Sequence, residues 1–424
     1  MNKKIFSNSI WMMSEKIISI FGLIFVTSYV AKYVGPGTFG QISFSMSLFQ
    51  IVQVIAQLGS SIIIFKRISK NKRSGIILIN TTVLMRAFFY FICSFPIVIY
   101  FFIHGANDSF WFIFAAFLSC FFSSLDVYSV YYDAILKSKI NTVINVCGLI
   151  LSLVLRWWIA SFEMPPVLLT IPIVLTSMFP YLLRAIAYKN NYNVRPLLKR
   201  HRGKYRRYLL KVGGSFVISD VSIAIYTRLS LLILAVLESK TSVGIYSVAL
   251  NLAGSWSFIT MSLITSTLPS IFSEKNDSLA LKKTVKLNIY MAIISITVIF
   301  FAYLLGGWFL RFFYGVEYDG AFYPLIILCM STMVSTLGTV SARFIAKYSG
   351  YSFLSKKMLI VLVSSLILNY LLIAKFGIIG AAISTLATEV LSLTLYNYFF
   401  KRGIVASLHM ETIKYILMPF RRRG

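Results

Sequence analysis

The sequence predicts an all-α integral membrane protein with twelve transmembrane helices in two six-helix bundles. Three observations support this: apolar residues make up 58% of the 424 residues, apolar runs of 18 or more residues recur along the chain, and basic residues concentrate in alternate connections. A helix of about 20 residues, rising 1.5 Å per residue, spans a hydrocarbon core about 30 Å thick. Backbone groups in lipid must bond internally, so these runs are expected to be helices.

The twelve predicted helices fill most of the chain. They span residues 8–33, 39–65, 75–103, 109–133, 140–162, 165–187, 208–236, 243–271, 283–305, 320–346, 355–376 and 378–400. The first run follows a basic start, as in a signal peptide, but it contains Glu15 and Lys16 and has no small-residue cleavage site. We therefore expect it to remain as the first span.

Short turns and one basic linker organise these helices. "KYVGPGTFG" (32–40) separates the first two runs, and its Gly and Pro residues favour a tight outer hairpin. The basic stretch 188–207 divides the helices six and six, which predicts bundles at 1–187 and 208–424 joined by a cytoplasmic linker. A weak internal similarity between residues 40–48 and 244–252 fits parallel repeats, although a match this short can also arise by chance.

The chain has a net charge of +28, and most of its basic residues lie in the connections predicted on one side of the membrane. Of 41 Lys and Arg residues, 31 lie in the termini and even-numbered connections, Lys357 among them, four in odd-numbered connections and six within predicted helices. This bias predicts cytoplasmic termini by the positive-inside rule. Attraction to anionic lipids accounts for such charge better than a nucleic-acid partner, so we predict membrane lipids as partners and no nucleic acid.

Neither a metal site nor a catalytic centre is predicted. The four cysteines lie within predicted helices without metal-ligand spacing, and the three histidines are far apart in the sequence. Cys93, Cys120, Cys147 and Cys329 are therefore expected to be packing residues.

Ionisable residues within the predicted helices carry the functional prediction, because such groups are costly in lipid and usually face a partner or a water-filled cavity. They are Glu15, Lys16, Arg86, Asp126, Arg156, Arg184, Asp220, Arg228, Arg343 and Glu389, with Asp133 at a helix end. Arg184 and Arg343 lie near cytoplasmic helix ends, where long side chains can reach the interface. Arg86, Arg156 and Arg228 lie deeper.

Polar residues also recur with helical spacing. Ser119, Asp126 and Asp133 repeat every seven residues, which places them on one helix face. Asn145 shares a face with Arg156 in the fifth helix, and Asn251 lies on a similar stripe in the eighth. Such stripes fit either a hydrated central cavity or hydrogen bonding between helices, and their presence in both halves favours the cavity.

Cations outnumber acids within the predicted helices, so we expect a cationic lumen suited to an anionic, hydroxyl-rich substrate. The predicted substrate-binding residues are Arg86, Arg156, Arg228, Lys16, Asn145 and Asn251. Some charges should pair, for example Glu15 with Lys16 or with a neighbouring helix. The predicted ion-coupling residues are Asp126, Asp220, Glu15 and Glu389, because a carboxylic acid away from water can exchange a proton near neutral pH.

Three segments resemble polysaccharide flippases. "AKYVGPGTFGQISFSMSLF" (31–49) resembles their first outer hairpin, "FLRFFYGVEYDGAFYPLIIL" (309–328) their connection between helices 9 and 10, and "LNYLLIAKFGIIGAAISTLATEV" (368–390) their last hairpin. The chain is thus identified as similar to Wzx-type O-antigen or polysaccharide flippases of the multidrug/oligosaccharidyl-lipid/polysaccharide exporter superfamily.

The resemblance implies a MATE-like fold and flipping of an oligosaccharide on undecaprenyl pyrophosphate from the inner to the outer leaflet of the bacterial cytoplasmic membrane. It implies alternating access driven by an H⁺ or Na⁺ gradient, with no other cofactor. A polysaccharide polymerase and a chain-length regulator are further partners that it suggests.

Two other functions compete with flipping. A multidrug exporter of the same superfamily shares the fold, but an exporter of cationic drugs should have an acidic lumen. A membrane enzyme such as a polymerase or glycosyltransferase should have a large outer loop, an Asp-x-Asp metal motif or a soluble domain. No connection in this chain is long enough for such a loop or domain, and the motif is absent.

Overall fold

The computed structural model describes residues 3–105, 107–191 and 198–421, and every element in these ranges is helical. The α-helices are α1 (Lys3–Gly22), α2 (Ser28–Gln57), α3 (Ser60–Lys70), α4 (Lys72–His104), α5 (Asn107–Leu125), α6 (Tyr128–Ala134), α7 (Ser138–Ser161), α8 (Thr170–Asn191), α9 (Leu198–Leu237), α10 (Lys240–Gly254), α11 (Ser257–Phe272), α12 (Asp277–Phe309), α13 (Phe322–Lys347), α14 (Tyr351–Leu393), α15 (Leu395–Tyr398) and α16 (Ile404–Arg421). Short π-helical turns lie at Leu23–Thr27 and Leu310–Tyr314, and 3₁₀ turns at Pro166–Leu169, Val316–Ala321 and Lys401–Gly403.

Ten helical segments in the described residues are long and apolar enough to cross a membrane. Two of them, Met13–Gln57 and Tyr351–Tyr398, are about twice the usual length. Each contains one glycine with positive φ, Gly35 at 71° and Gly377 at 54°, where the helix is interrupted. Each long segment is therefore a helical hairpin, and the ten segments correspond to the twelve predicted helices. The prediction of a multi-pass all-α membrane protein is confirmed.

Three predicted helices contain breaks that the sequence analysis missed. The second helix was predicted as continuous over 39–65, but Leu58 and Gly59 are left-handed, with φ of 52° and 58°, and separate α2 from α3. The fourth helix breaks between α5 and α6, and the eighth breaks between α10 and α11. Glycine or polar residues lie at each break, namely Gly59, Asp126 and Ser255.

The chain divides into two compact units, Met1–Ile225 and Tyr226–Gly424. In the first unit, α5 is central and packs against α2, α4 and α8, while α7 packs against α1 and α8. Phe49, Tyr90 and Ile113 form part of the core between α2, α4 and α5. A second cluster joins α3 to α6.

In the second unit, α13 is central and packs against α10, α12 and α14, while α16 packs against α12. Met291, Val340 and Ile264 are buried together in its core. The boundary between the units lies within α9. The predicted linker 188–207 includes residues 192–197, which lie outside the described residues, and its role as a domain boundary stays a prediction.

Large apolar side chains cover the outside of the long helices. Phe88, Phe95 and Phe102 on α4 are 58–70% exposed, and Phe300 and Leu304 on α12 are 58% and 56% exposed. Continuous apolar surfaces of this kind are not stable in water, so these faces contact lipid.

Candidate functional site

In the first unit, the break between α5 and α6 presents Asp126 to α8. Arg184 of α8 donates from Nε to Asp126 Oδ1 at 3.2 Å, and its Nη2 contacts Oδ2. The backbone N–H of Ser129 also donates to Asp126 at 3.3 Å. The side chain of Arg184 is only 5% exposed. Our prediction that Arg184 reaches the membrane interface is therefore wrong, because a carboxylate on a neighbouring element binds it within the unit. Arg343, for which we made the same prediction, is exposed.

The ion pair continues into a chain of hydrogen bonds across α7 and α1. Arg184 Nη1 donates to Asn145 Oδ1 at 2.7 Å, and Asn145 Nδ2 donates to Glu15 Oε1 at 2.9 Å. We call Asp126, Arg184, Asn145 and Glu15 the unit 1 polar chain. The sequence analysis assigned Asp126 and Glu15 to ion coupling and Asn145 to substrate binding, and the structure links all three through Arg184.

Arg86 lies elsewhere in the first unit and is 1% exposed. It donates to Ser60 Oγ at 2.7 and 3.0 Å, to Ser61 Oγ at 3.1 Å and to the carbonyl oxygen of Ser124 at 2.9 Å. These partners follow the break after α2 and precede the break after α5. Arg86 therefore ties two helix breaks together, and its predicted contact with substrate stays a prediction.

The remaining candidates of the first unit are dispersed. Lys16 is exposed on α1, whereas Arg156 on α7 and Asp220 on α9 are half-buried. Asp133 accepts hydrogen bonds from Ser138 Oγ at 2.6 Å and Asn141 Nδ2 at 2.8 Å, which fixes the turn between α6 and α7. The predicted substrate-binding and coupling roles of Lys16, Arg156 and Asp220 stay predictions.

The second unit contains a cavity of about 220 Å³ beside Glu389 of α14. Its polar lining includes Tyr226, Ser331, Ser335, Thr385 and Thr388. Glu389 accepts hydrogen bonds from Tyr226 OH, at 3.4 Å, and from Ser335. The cavity thus places one carboxylate among several hydroxyl groups.

Hydrogen bonds organise the wall of this cavity but leave one of its groups unused. Thr385 Oγ1 is 3.0 Å from both Ser230 Oγ and Tyr246 OH, which links α14 to α9 and α10. Among the described residues, the buried hydroxyl of Thr388 has no hydrogen-bond partner. A buried polar atom without a partner is costly, so this hydroxyl is available to a small polar occupant of the cavity.

Lys357 is a buried cation in the same unit. We assigned it to a cytoplasmic connection, and that assignment is wrong, because Lys357 lies on α14, is 3% exposed and donates to Asn397 Oδ1 at 2.9 Å. It also attracts Glu389 electrostatically. By contrast, Asn251 is exposed, and Arg228 is half-buried and donates to Thr227 Oγ1 at 3.1 Å. Their predicted substrate contacts stay predictions.

The sequence analysis overlooked most of the hydroxyl groups around Glu389. Their spacing could have identified them, since Ser331 and Ser335, and likewise Thr385 and Glu389, are four residues apart and therefore share a helix face. Tyr226 gave no such indication, because a lone tyrosine in an apolar helix is usually a packing residue.

The chemistry available at the Glu389 cavity is ion or proton binding. Its polar groups are oxygen atoms, and oxygen ligands with one negative charge suit a small hard cation or an exchangeable proton. In the part of the chain that the structure describes, no three His, Cys, Asp or Glu residues cluster in a way that could hold a metal ion.

The sequence also matches known proteins. The model of a family described as "Polysaccharide biosynthesis protein" matches residues 5–275, which is more than half of the chain. The chain belongs to this family. The predicted family resemblance is thereby confirmed.

Two curated proteins resemble the chain, although the alignments cover only 43% and 65% of their lengths. The probable low-salt glycan biosynthesis flippase Agl15 of Haloferax volcanii is 22% identical over 205 residues, 48% of this chain. The capsular polysaccharide biosynthesis protein CapF of Staphylococcus aureus is 25% identical over 261 residues, 60% of this chain.

Solved structures of other proteins have the same fold as this chain. An inward-facing multidrug resistance MATE family transporter of the MOP superfamily aligns with a TM-score of 0.67 and 16% identity, covering 96% of this chain and 99% of that one. The lipid II flippase MurJ in an inward closed conformation aligns with a TM-score of 0.64 and 16% identity, covering 98% and 92%. The predicted MATE-like fold is confirmed.

Proposed function

We propose that this chain is a flippase that moves an oligosaccharide linked to undecaprenyl pyrophosphate from the inner to the outer leaflet of the bacterial cytoplasmic membrane. The observation that carries the proposal is membership of a polysaccharide biosynthesis family in a chain whose described residues form membrane-spanning helices. The MurJ-like fold and the resemblance to Agl15 support the same substrate class. An O-antigen repeat unit is the substrate that we favour.

The charge distribution supports an orientation with both termini in the cytoplasm. We propose that alternating access moves the substrate, and that an H⁺ or Na⁺ gradient drives it through the Glu389 cavity. The carboxylate, the surrounding hydroxyls and the unpartnered hydroxyl of Thr388 could together hold the ion or accept the proton. The unit 1 polar chain carries two further acids, Asp126 and Glu15, that are candidates for the same coupling.

Deleting the gene in its native host tests the substrate and the direction of transport. Surface polysaccharide should disappear while lipid-linked repeat units accumulate on the inner leaflet. Normal polymer together with new sensitivity to cationic drugs would favour the multidrug alternative. Repeat units that reach the outer leaflet but remain unpolymerised would instead indicate a polymerase.

The coupling proposal predicts a selective effect of Glu389→Gln. This change keeps the shape of the side chain and removes its charge, so gradient-driven flipping of a fluorescent lipid-linked saccharide in proteoliposomes should fall about tenfold or more. Protein yield and melting temperature should remain near the wild-type values.

Glu411→Gln is the matched control, because Glu411 is exposed on α16 and pairs with the exposed Lys414. Flipping by this control should be unchanged. Unchanged flipping and unchanged ion dependence in Glu389→Gln would reject coupling at the cavity.

A further inference from the structure

One end of α12 carries an irregular turn that the proposed transport cycle does not use. The last residues of α12 pass into the π-helical turn Leu310–Tyr314, and Gly315, with φ of 94°, starts the 3₁₀ turn Val316–Ala321. Tyr314 and Tyr318 are 2% and 0% exposed, and their rings contact each other edge to face at 5.7 Å. Buried side chains therefore hold this turn in place.

The turn forms a groove of about 750 Å³ with the start of α13. We call it the aromatic groove. Aromatic rings and one ion pair line it: Trp308, Arg311, Phe312, Asp319, Phe322 and Tyr323. Its volume falls within the roughly 300–1,000 Å³ of small-molecule sites. Trp308 and Phe312 stack with ring centroids 5.5 Å apart and an interplanar angle of 14°, yet both are more than 60% exposed. Flat, accessible ring faces are thus presented beside polar atoms.

The ion pair in the groove keeps hydrogen-bonding capacity. Arg311 Nε lies 3.0 and 2.9 Å from the two carboxylate oxygens of Asp319, and its Nη2 lies 2.8 Å from Oδ2. These contacts use two of the five guanidinium N–H groups and leave three donors, together with acceptor capacity on Asp319. The side chain of Arg311 is 69% exposed, so these groups can reach a ligand.

We propose that the aromatic groove binds a sugar ring of a saccharide. The proposal rests on the proposed function for the source of the saccharide and adds a second contact point for it. Sugar rings have one face of C–H groups, which packs on aromatic rings, and a rim of hydroxyl groups, which pairs with adjacent donors and acceptors. The groove offers both within one concavity.

The charge of the groove favours a neutral sugar ring over a phosphate. Arg311 and Asp319 neutralise each other, and the carboxylate would repel a phosphate oxygen. Aromatic residues also anchor membrane proteins at the lipid interface. In this groove, four aromatic rings and an ion pair lie together. Interfacial anchoring alone is therefore the alternative that the experiment must exclude.

Gly307 provides a variant that fills the groove with little strain on the fold. A Cβ atom built at Gly307 lies 3.8 Å from the ring of Phe322, which is an ordinary contact. Gly307→Leu should therefore be accommodated in α12 and occupy part of the groove. Trp308→Ala removes a stacking face, and Asp319→Asn breaks the ion pair. Phe300→Ala is the control, since Phe300 is 58% exposed on α12 but does not line the groove.

Saturation-transfer difference NMR on the full chain tests the proposal, in a detergent without a sugar headgroup. The probes are glucose, galactose, mannose, N-acetylglucosamine, maltotriose and chitotriose. We expect transfer to the C–H protons of at least one probe. Its affinity should fall about tenfold in Trp308→Ala, Asp319→Asn and Gly307→Leu, and it should be unchanged in Phe300→Ala. Melting temperatures identify any variant that is misfolded.

The proposal is overturned if no probe shows saturation transfer. It is also overturned if Trp308→Ala and Gly307→Leu fold and show the same transfer as the wild type. The rings would then serve as membrane anchors. The assay requires no transport, so its result is separate from the gene-deletion experiment. If the protein binds a sugar but deletion of its gene leaves surface polysaccharide normal, the sugar-binding proposal stands and the flippase proposal is rejected. If deletion abolishes surface polysaccharide but no sugar binds, the flippase proposal stands and the sugar-binding proposal is rejected.

Discussion

Arg86 illustrates how a deep arginine can serve the fold. Its position in α4 predicts burial, and the structure confirms burial. Its partners Ser60 and Ser124 are 26 and 38 residues away, so no local pattern in the sequence identifies them. Its hydrogen bonds to Ser60, Ser61 and Ser124 all end on protein oxygens beside a helix break.

Arg86→Met should destabilise the protein by about 2–4 kcal/mol, because charged hydrogen bonds are lost and buried oxygen atoms are left without a donor. A thermal melt in detergent measures this as a lower melting temperature. Arg343→Met is the control, since Arg343 is exposed and should melt like the wild type. A wild-type melting temperature together with lost flipping would instead indicate that Arg86 serves the substrate.

The unit 1 polar chain shows what cannot be predicted from the position of a residue along its own helix. The sequence singled out Asp126 and Glu15 because a charge is costly in lipid, and Asn145 because it lies on a polar stripe of its helix. It placed Arg184 at the interface, because depth was counted along its own helix. The partner that binds Arg184 lies in a break 58 residues earlier, and only the packing of α5, α7 and α8 places the two together.

At the scale of helices and turns, the sequence predicted hairpins better than breaks. Gly35 follows Tyr33 and Val34 in a Gly-Pro-Gly stretch, so a turn there is indicated by composition. Leu58, between Gln57 and Gly59, adopts φ of 52°, a conformation that leucine does not favour. Tertiary contacts such as those between α3 and α6 stabilise that break.

Gly377 is required by the last hairpin. Its φ of 54° and ψ of −130° disfavour any L side chain, and an added Cβ would lie 2.9 Å from a carboxylate oxygen of Glu238. Gly377→Ala should therefore cost about 1–3 kcal/mol. Gly338→Ala is the matched control, because nothing lies within 4 Å of its added Cβ, and it should melt at or slightly above the wild-type temperature. Equal melting of the two variants would contradict this.

The terminal helix α16 is fixed by His409, whose Nε2 and Nδ1 lie 3.1 Å from Ser341 Oγ and Tyr398 OH. Burial lowers the pKa of His409 below its usual value. The unfolded chain then binds the proton more readily, so His409 favours folding above about pH 6.5 and this contribution is lost as the pH falls below that value. Melting temperatures from pH 8 to 5 should decline more steeply for the wild type than for His409→Gln. Parallel declines would exclude this role.

At the scale of the whole molecule, hydropathy predicted the helices, and charge bias predicts an orientation that labelling can test. The four natural cysteines would first be replaced by alanine. A cysteine at Lys275, between α11 and α12, should react with a membrane-impermeant maleimide only after the cells are opened. A cysteine at the exposed Glu317, beyond the other end of α12, should react in intact cells. The opposite pattern would invert the proposed direction of transport.

The tie between Arg86 and the two helix breaks also has an evolutionary consequence. A homologue that loses the arginine leaves two serine hydroxyls and a carbonyl without their donor. Position 86 and positions 60 and 61 should therefore change together, with apolar residues appearing at all three. Homologues with a substitution at only one of them should be rare. An alignment of homologues should therefore show correlated variation at positions 60, 61 and 86.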